Sequence, residues 1–153
     1  SLEYDHDEIG YNYRLNNLQA AMGVAQMEKL DKFIAHKRKN AALYRKLLAP
    51  VEEVRFIWEE PWAKSNFWFY TIKVERVHKN LLLQYLLDRY IQVRPVWKLI
   101  HTLPMYSGSQ SFKINEAGNV YDGCINIPCS ADLNDEEVRF VVEKIKDYFS
   151  KDS

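Results

Sequence analysis

The chain has little of what would commit it to a cross-linked or metal-built scaffold. Its two cysteines, Cys124 and Cys129, are too few for a disulfide framework and lack the four-ligand pattern of a structural zinc site. Both are therefore expected as buried, reduced side chains. An excess of charge is also missing, since 21 Lys and Arg balance 21 Asp and Glu. That balance removes the electrostatic case for nucleic acid or an anionic membrane surface. No apolar run approaches the roughly 20 residues of a bilayer span, and no secretory signal pattern occurs, so a soluble cytoplasmic protein is expected. There is no internal repeat and no low-complexity tract. What is present is 153 residues of which 47% are hydrophobic, enough for one ordinary core and one domain.

Hydrophobic periodicity predicts an α+β fold: a small antiparallel or mixed sheet of three to four strands, packed with a long N-terminal helix and a C-terminal helix. The first helix is expected from near Asn16 to about Leu48. Leu18, Ala21, Met22 and Ala25 form a narrow stripe of mostly small side chains. A second stripe runs through Leu30, Phe33, Ile34, Ala41, Tyr44 and Leu48, rotated by about 100° from the first. A break near Asp31, with Asp31 as the new cap, reconciles the two faces; one straight helix buried on two sides is the alternative.

After Pro50, which stops the helix, strands are predicted over Val54–Trp58 and Phe67–Val74, with a loop around Pro61 between them. The second run is apolar at both alternating sets of positions, which marks a central strand. A helix from about Lys79 to Tyr90 should turn Leu82, Leu83, Leu86 and Leu87 inward. Ile91–Trp97 returns as a strand that Pro95 confines to an edge or ends. His101 to Asp122 reads as a long loop with a short helix, and Cys124–Ile127 as the last strand. Asn134 with Glu137 forms a capping box, ahead of Val138, Val141, Val142, Ile145 and Phe149 at helical spacing. Lys29, Lys32, Lys37 and Lys39 are expected on a solvated helix face, and His36 and His78 on the surface.

The chemistry concentrates at the start. Gly10-Tyr11-Asn12-Tyr13-Arg14-Leu15 is a glycine-led polar turn set against an alanine-rich helix. Asn12 offers an amide, Arg14 a planar guanidinium that can take two phosphate oxygens at once, and a helix start supplies backbone N–H groups and a positive dipole end. A phosphate-bearing ligand follows from that set; a capped and solvated helix entrance is the plainer reading.

In order and spacing these residues resemble a signature of the pyridoxal-phosphate sugar aminotransferases of the DegT/DnrJ/EryC1/StrS family. Gly10, Asn12, Tyr13 and Arg14 are followed in register by Gln19-Ala20-Ala21, Gln26-Met27 and Leu30. Further similar blocks are Arg94-Pro95-Val96-Trp97 with His101, Pro104 and Tyr106, then Ile127-Pro128 and the helix start at Asn134. His6 also matches, without a role that its chemistry defines.

The resemblance implies the small C-terminal domain of a fold-type I aminotransferase, with residues 1–153 as one such domain of a longer enzyme. The absence of an initiating Met at Ser1 fits that expectation. The lysine that carries the cofactor, the carboxylate that pairs with its ring nitrogen and the stacking aromatic belong to a larger preceding domain, so the fragment alone is expected to be inactive. Asn12 and Arg14, with Tyr13 beside them, are implied to reach the pyridoxal 5'-phosphate of a neighbouring subunit in a homodimer with shared active sites. His101 and Arg94 are implied contacts to a nucleotide-sugar substrate. The implied reaction converts a keto group on a nucleotide-linked sugar, in the finer reading a UDP-linked 4-keto sugar of surface-glycan and lipopolysaccharide synthesis, to an amine, with glutamate as donor. Two alternatives stand beside it: a dehydratase of the same family, and a non-catalytic binding or oligomerisation module.

Overall fold

The computed structural model describes residues 4–150. Five helices and four short strands follow one another as α1 (Asn17–Met27), α2 (Leu30–Leu48), β1 (Arg55–Phe56), β2 (Tyr70–Lys73), α3 (Arg76–Leu87), β3 (Arg94–Pro95), α4 (Asn115–Gly123), β4 (Cys124–Ile127) and α5 (Asp135–Phe149). The strands form one antiparallel sheet in the order β1-β2-β4-β3. This is the expected α+β arrangement, with β2 central and the proline strand at an edge.

Alternation along the central strands decides which face is covered. Tyr70 and Ile72 pair with Ile127 and Ile125, and all four are essentially buried. They join Ala41, Tyr44 and Leu48 of α2, Leu82 and Leu86 of α3, and Val138, Val141, Val142 and Ile145 of α5 in one core. The inward positions foreseen on α5 are those observed, as are Leu82, Leu83 and Leu86 on α3, whereas Leu87 is only partly buried against the core. Asn134 caps α5 with its side chain on the N–H groups of Glu136 and Glu137, and Glu137 returns a bond to the Asn134 N–H at 2.8 Å.

Several expectations need correction. The long N-terminal helix does break, but at Glu28–Lys29; Lys29 precedes α2 with no side-chain cap, and Asp31 only adds an acid to the first turn. The stripe through Leu18, Ala21, Met22 and Ala25 is uncovered, since no residue of α1 is buried. The strands are shorter than their hydrophobic runs. Before β2, Ser65 and Asn66 bond the N–H groups of Phe67 and Trp68, and Phe67 sits at φ 50°, so the chain turns locally before it pairs. Pro95 has no N–H to extend β3. Helix α3 begins three residues earlier than expected, at Arg76, and ends at Leu87.

Two lone side chains also differ from expectation. His36 Nε2 lies 2.8 Å from the Leu133 carbonyl, and His78 packs edge-on against Tyr148 and Phe149; both are half-buried rather than free on the surface. Cys124 is buried as expected, and burial pushes its thiol pKa up, but Cys129 is only half-buried. Among the described residues no helix is long and apolar enough to cross a membrane.

The loop before β2 is braced by a forked ion pair. Arg38 donates to both oxygens of Glu59, at 2.9 and 2.5 Å, and the Ser65 N–H donates to the same carboxylate. The Arg38 hydrogen bond, with help from Ser65, holds the Glu59 carboxyl down to about 2. A depressed carboxylate contributes stability that is complete above its unfolded pKa near 4.5 and disappears as pH falls toward 2. Urea midpoints of wild type and Glu59→Gln should therefore differ at neutral pH and converge across that window.

The end of α3 gives a second test. The Tyr90 N–H reaches the Leu87 carbonyl and the Ile91 N–H reaches Leu86, the two bonds of a Schellman cap. Tyr90 occupies the left-handed position at φ 59° with its ring 98% exposed. Glycine carries no Cβ penalty there, so Tyr90→Gly should raise unfolding stability by about 1 kcal/mol, read from the urea midpoint at constant m-value.

Candidate functional site

The polar turn is built from its own side chains. Asn12 Oδ1 accepts the Arg14 N–H at 2.8 Å, an Asx-type closure that lets Arg14 adopt φ 70°. Left-handed backbone at a non-glycine residue is strained by about 1–2 kcal/mol; here the local hydrogen bond offsets part of it. Closure leaves the Asn12 Nδ2 and the whole Arg14 guanidinium as outward donors. No ion pair among the described residues involves Arg14, and Asn12, Tyr13 and Arg14 are all exposed.

The helix start contributes less than expected. Asn16 Oδ1 takes the Gln19 N–H at 2.9 Å and Gln19 Oε1 takes the Asn16 N–H at 3.0 Å, so a capping box consumes two of the donors that an anion could have used. The side-chain donors that this turn still offers to an anion are therefore the Asn12 amide and the Arg14 fork. That donor set, one fixed cation and one amide without a competing carboxylate, fits a phosphate monoester.

The opening segment is tethered to the far edge of the sheet. Tyr4 stacks on Trp97 with ring centroids 5.6 Å apart, and Lys98 pairs with Asp5. Trp97 in turn meets Phe69 edge-on at 4.9 Å and Trp68 at 6.3 Å.

Arg94 and His101 belong to this second region and have no hydrogen bond or ion pair to the Asn12–Arg14 turn. His101 is half-buried in a 3-10 turn, Ile100–Thr102. Arg94, exposed on β3, lines a cleft of about 390 Å³ with Trp68, Phe69, Asn126, Cys129 and Lys37. Lys37 is the clearest departure from the sequence reading. It is half-buried, its Nζ donates to the Cys129 carbonyl, and desolvation lowers its pKa, partly opposed by Cys129. Lys39 does lie on the exposed face, paired with Asp135 at 2.7 Å. Neither Lys37 nor Asn126 was foreseen in the cleft. Lys37 sits one turn ahead of the buried stretch Asn40–Ala41, and that helical offset was the only signal that could have found it.

Comparison with known proteins gives this geometry a family. The profile described as the DegT/DnrJ/EryC1/StrS aminotransferase family matches residues 1–146, and the chain belongs to that family. It is 35% identical over 149 residues to GDP-perosamine synthase of Escherichia coli O157:H7, covering 97% of this chain and 40% of that protein. It is 30% identical to EpsN of Bacillus subtilis, named a putative pyridoxal phosphate-dependent aminotransferase, again over 97% of this chain and 40% of the relative. Among solved structures, Helicobacter pylori PseC, an aminotransferase involved in the biosynthesis of pseudaminic acid, superposes with a TM-score of 0.80 at 25% identity, over 95% of this chain and 40% of that one. The chain thus spans about two fifths of the length of the relatives that it matches. Pyridoxal phosphate is the cofactor that the family indicates.

Proposed function

We propose that this chain is the C-terminal domain of a pyridoxal-phosphate aminotransferase that places an amino group on a nucleotide-linked keto sugar. The observation that carries the reading is the Arg14 guanidinium, unpaired and exposed beside the Asn12 amide, in a chain whose family match spans residues 1–146. The bound cofactor supplies the electron sink for moving the amino group. Asn12 and Arg14, flanked by Tyr13, hold its phosphate across the interface of a homodimer, so each subunit completes its neighbour's site. Their exposure within one chain supports that role, because a donor set used in trans is uncovered until the partner is in place. The lysine that carries the cofactor belongs to a preceding domain, and the isolated domain is inactive.

On the substrate side, Arg94 pairs with phosphate oxygens, and His101 donates to or accepts from a sugar hydroxyl. Glutamate is the amino donor, and the enzyme works in the cytoplasm on precursors of surface glycans. A UDP-linked 4-keto sugar follows the resemblance and suits the 28% identity to a relative named UDP-4-amino-4,6-dideoxy-N-acetyl-beta-L-altrosamine transaminase. The 35% identity to GDP-perosamine synthase favours a GDP-linked sugar as the second reading.

Two experiments test these statements on the whole protein. Replacing Asn12 by Leu together with Arg14 by Gln should weaken cofactor retention at least tenfold, read as the cofactor's absorbance after gel filtration; unchanged retention overturns the phosphate role. With isotopically labelled glutamate, amine should appear on a UDP-linked 4-keto sugar, or on its GDP-linked counterpart if the second reading holds. Transfer to neither ends the nucleotide-sugar proposal.

A further inference from the structure

We infer that Asn126, Arg94 and Trp68 form a clamp for the nucleoside diphosphate of the substrate on the open face of the sheet, an inference that rests on the nucleotide-sugar reading above.

Strand alternation selects the residues. Ile125 and Ile127 turn into the core, so Asn126 between them points to the opposite face. Register then sets its neighbours: Thr71 stands opposite it on β2 and Arg94 opposite it on β3, each within the roughly 5 Å Cβ spacing of cross-strand partners. The Thr71 hydroxyl donates to Asn126 Oδ1 at 2.7 Å, which fixes the carboxamide and leaves Nδ2 as the free end. Asn126 is only 5% exposed, yet Nδ2 has no hydrogen-bond acceptor among the described residues, and the residue lines the cleft. Nδ2 therefore opens onto the cleft as an oriented donor, and an acceptor brought by a ligand would take its hydrogen bond.

The remaining lining specifies that ligand. The cleft holds two cations, Lys37 and Arg94, and no carboxylate. Lys37 is already engaged with the Cys129 carbonyl, whereas Arg94 has no ion pair among the described residues. A fork and an amide side by side suit the oxygens of a diphosphate. Trp68 is 68% exposed and rests against Phe69 at 4.8 Å, which leaves an indole face for a base or ribose. At about 390 Å³ the cleft falls in the range of small-molecule sites. Aromatic wall, guanidinium and oriented amide together describe a nucleotide better than they describe a small amino-acid carboxylate.

The test uses the cofactor-loaded whole protein with UDP and GDP as probes, followed by titration calorimetry and tryptophan fluorescence. Asn126→Asp keeps the side-chain size and the acceptor for Thr71 while removing the donor. Arg94→Gln changes an exposed residue, so it reports even if the aspartate variant folds poorly. Both should raise the Kd of whichever diphosphate the wild type binds at least tenfold. Trp68→Leu should abolish the nucleotide-dependent fluorescence change, whereas Trp62→Leu, on an 85% exposed side chain outside the cleft, should retain it. If wild type transfers amine to a nucleotide sugar but Arg94→Gln and Asn126→Asp bind UDP and GDP as tightly as it does, the clamp is wrong and the functional reading survives. If the variants instead lose affinity for glutamate alone, the clamp is again overturned, because the cleft then serves the amino donor. A wild type that binds neither diphosphate overturns both.

Discussion

Pairing of β2 with β4 is the constraint on which the rest of this domain depends. Tyr70 opposite Ile127 and Ile72 opposite Ile125 present one continuous apolar surface, and three helices are folded onto it. A slip of one residue would exchange the faces of a whole strand, putting Asn126 into the core and two isoleucines into the open cleft. The hydrophobic demand of the core therefore fixes more than stability. It also places Thr71, Asn126 and Arg94 in a row across three strands on the other face.

That coupling explains which parts were legible in the sequence. Helix α5 was readable almost to its ends, because the Asn134–Glu137 cap and five apolar residues at helical spacing report the same element. The limits of β4 and the edge position of Pro95 were likewise local properties. Strand lengths were not, because Phe67–Phe69 is as apolar as any strand yet is kept out of the ladder by side-chain bonds from Ser65 and Asn66. The break between α1 and α2 was visible as a rotation of the apolar stripe, but its cause was not, since no capping side chain marks Lys29.

The candidate site divides along the same line. Asn12 and Arg14 announce themselves by residue type and spacing, and the structure adds the hydrogen bond that sets their turn. Lys37 and Asn126 could not be singled out in one dimension: a lysine on a charged helix and an asparagine between isoleucines look ordinary until strand and helix are brought together. The uncovered apolar side of α1, with Leu18, Met22 and Met27 all more than 60% exposed, belongs with the turn. Both lie ahead of the helix break, outside the core.

The stack of Tyr4 on Trp97 has a mechanical corollary. Asn12 lies eight positions after Tyr4, and a fully drawn-out stretch of that size covers at most about 29 Å. While the ring contact holds, the polar tip is leashed to the aromatic rim of its own chain. The leash therefore caps the gap between the Asn12–Arg14 donors and the cleft beside Trp97, giving the two candidate centres a common ruler.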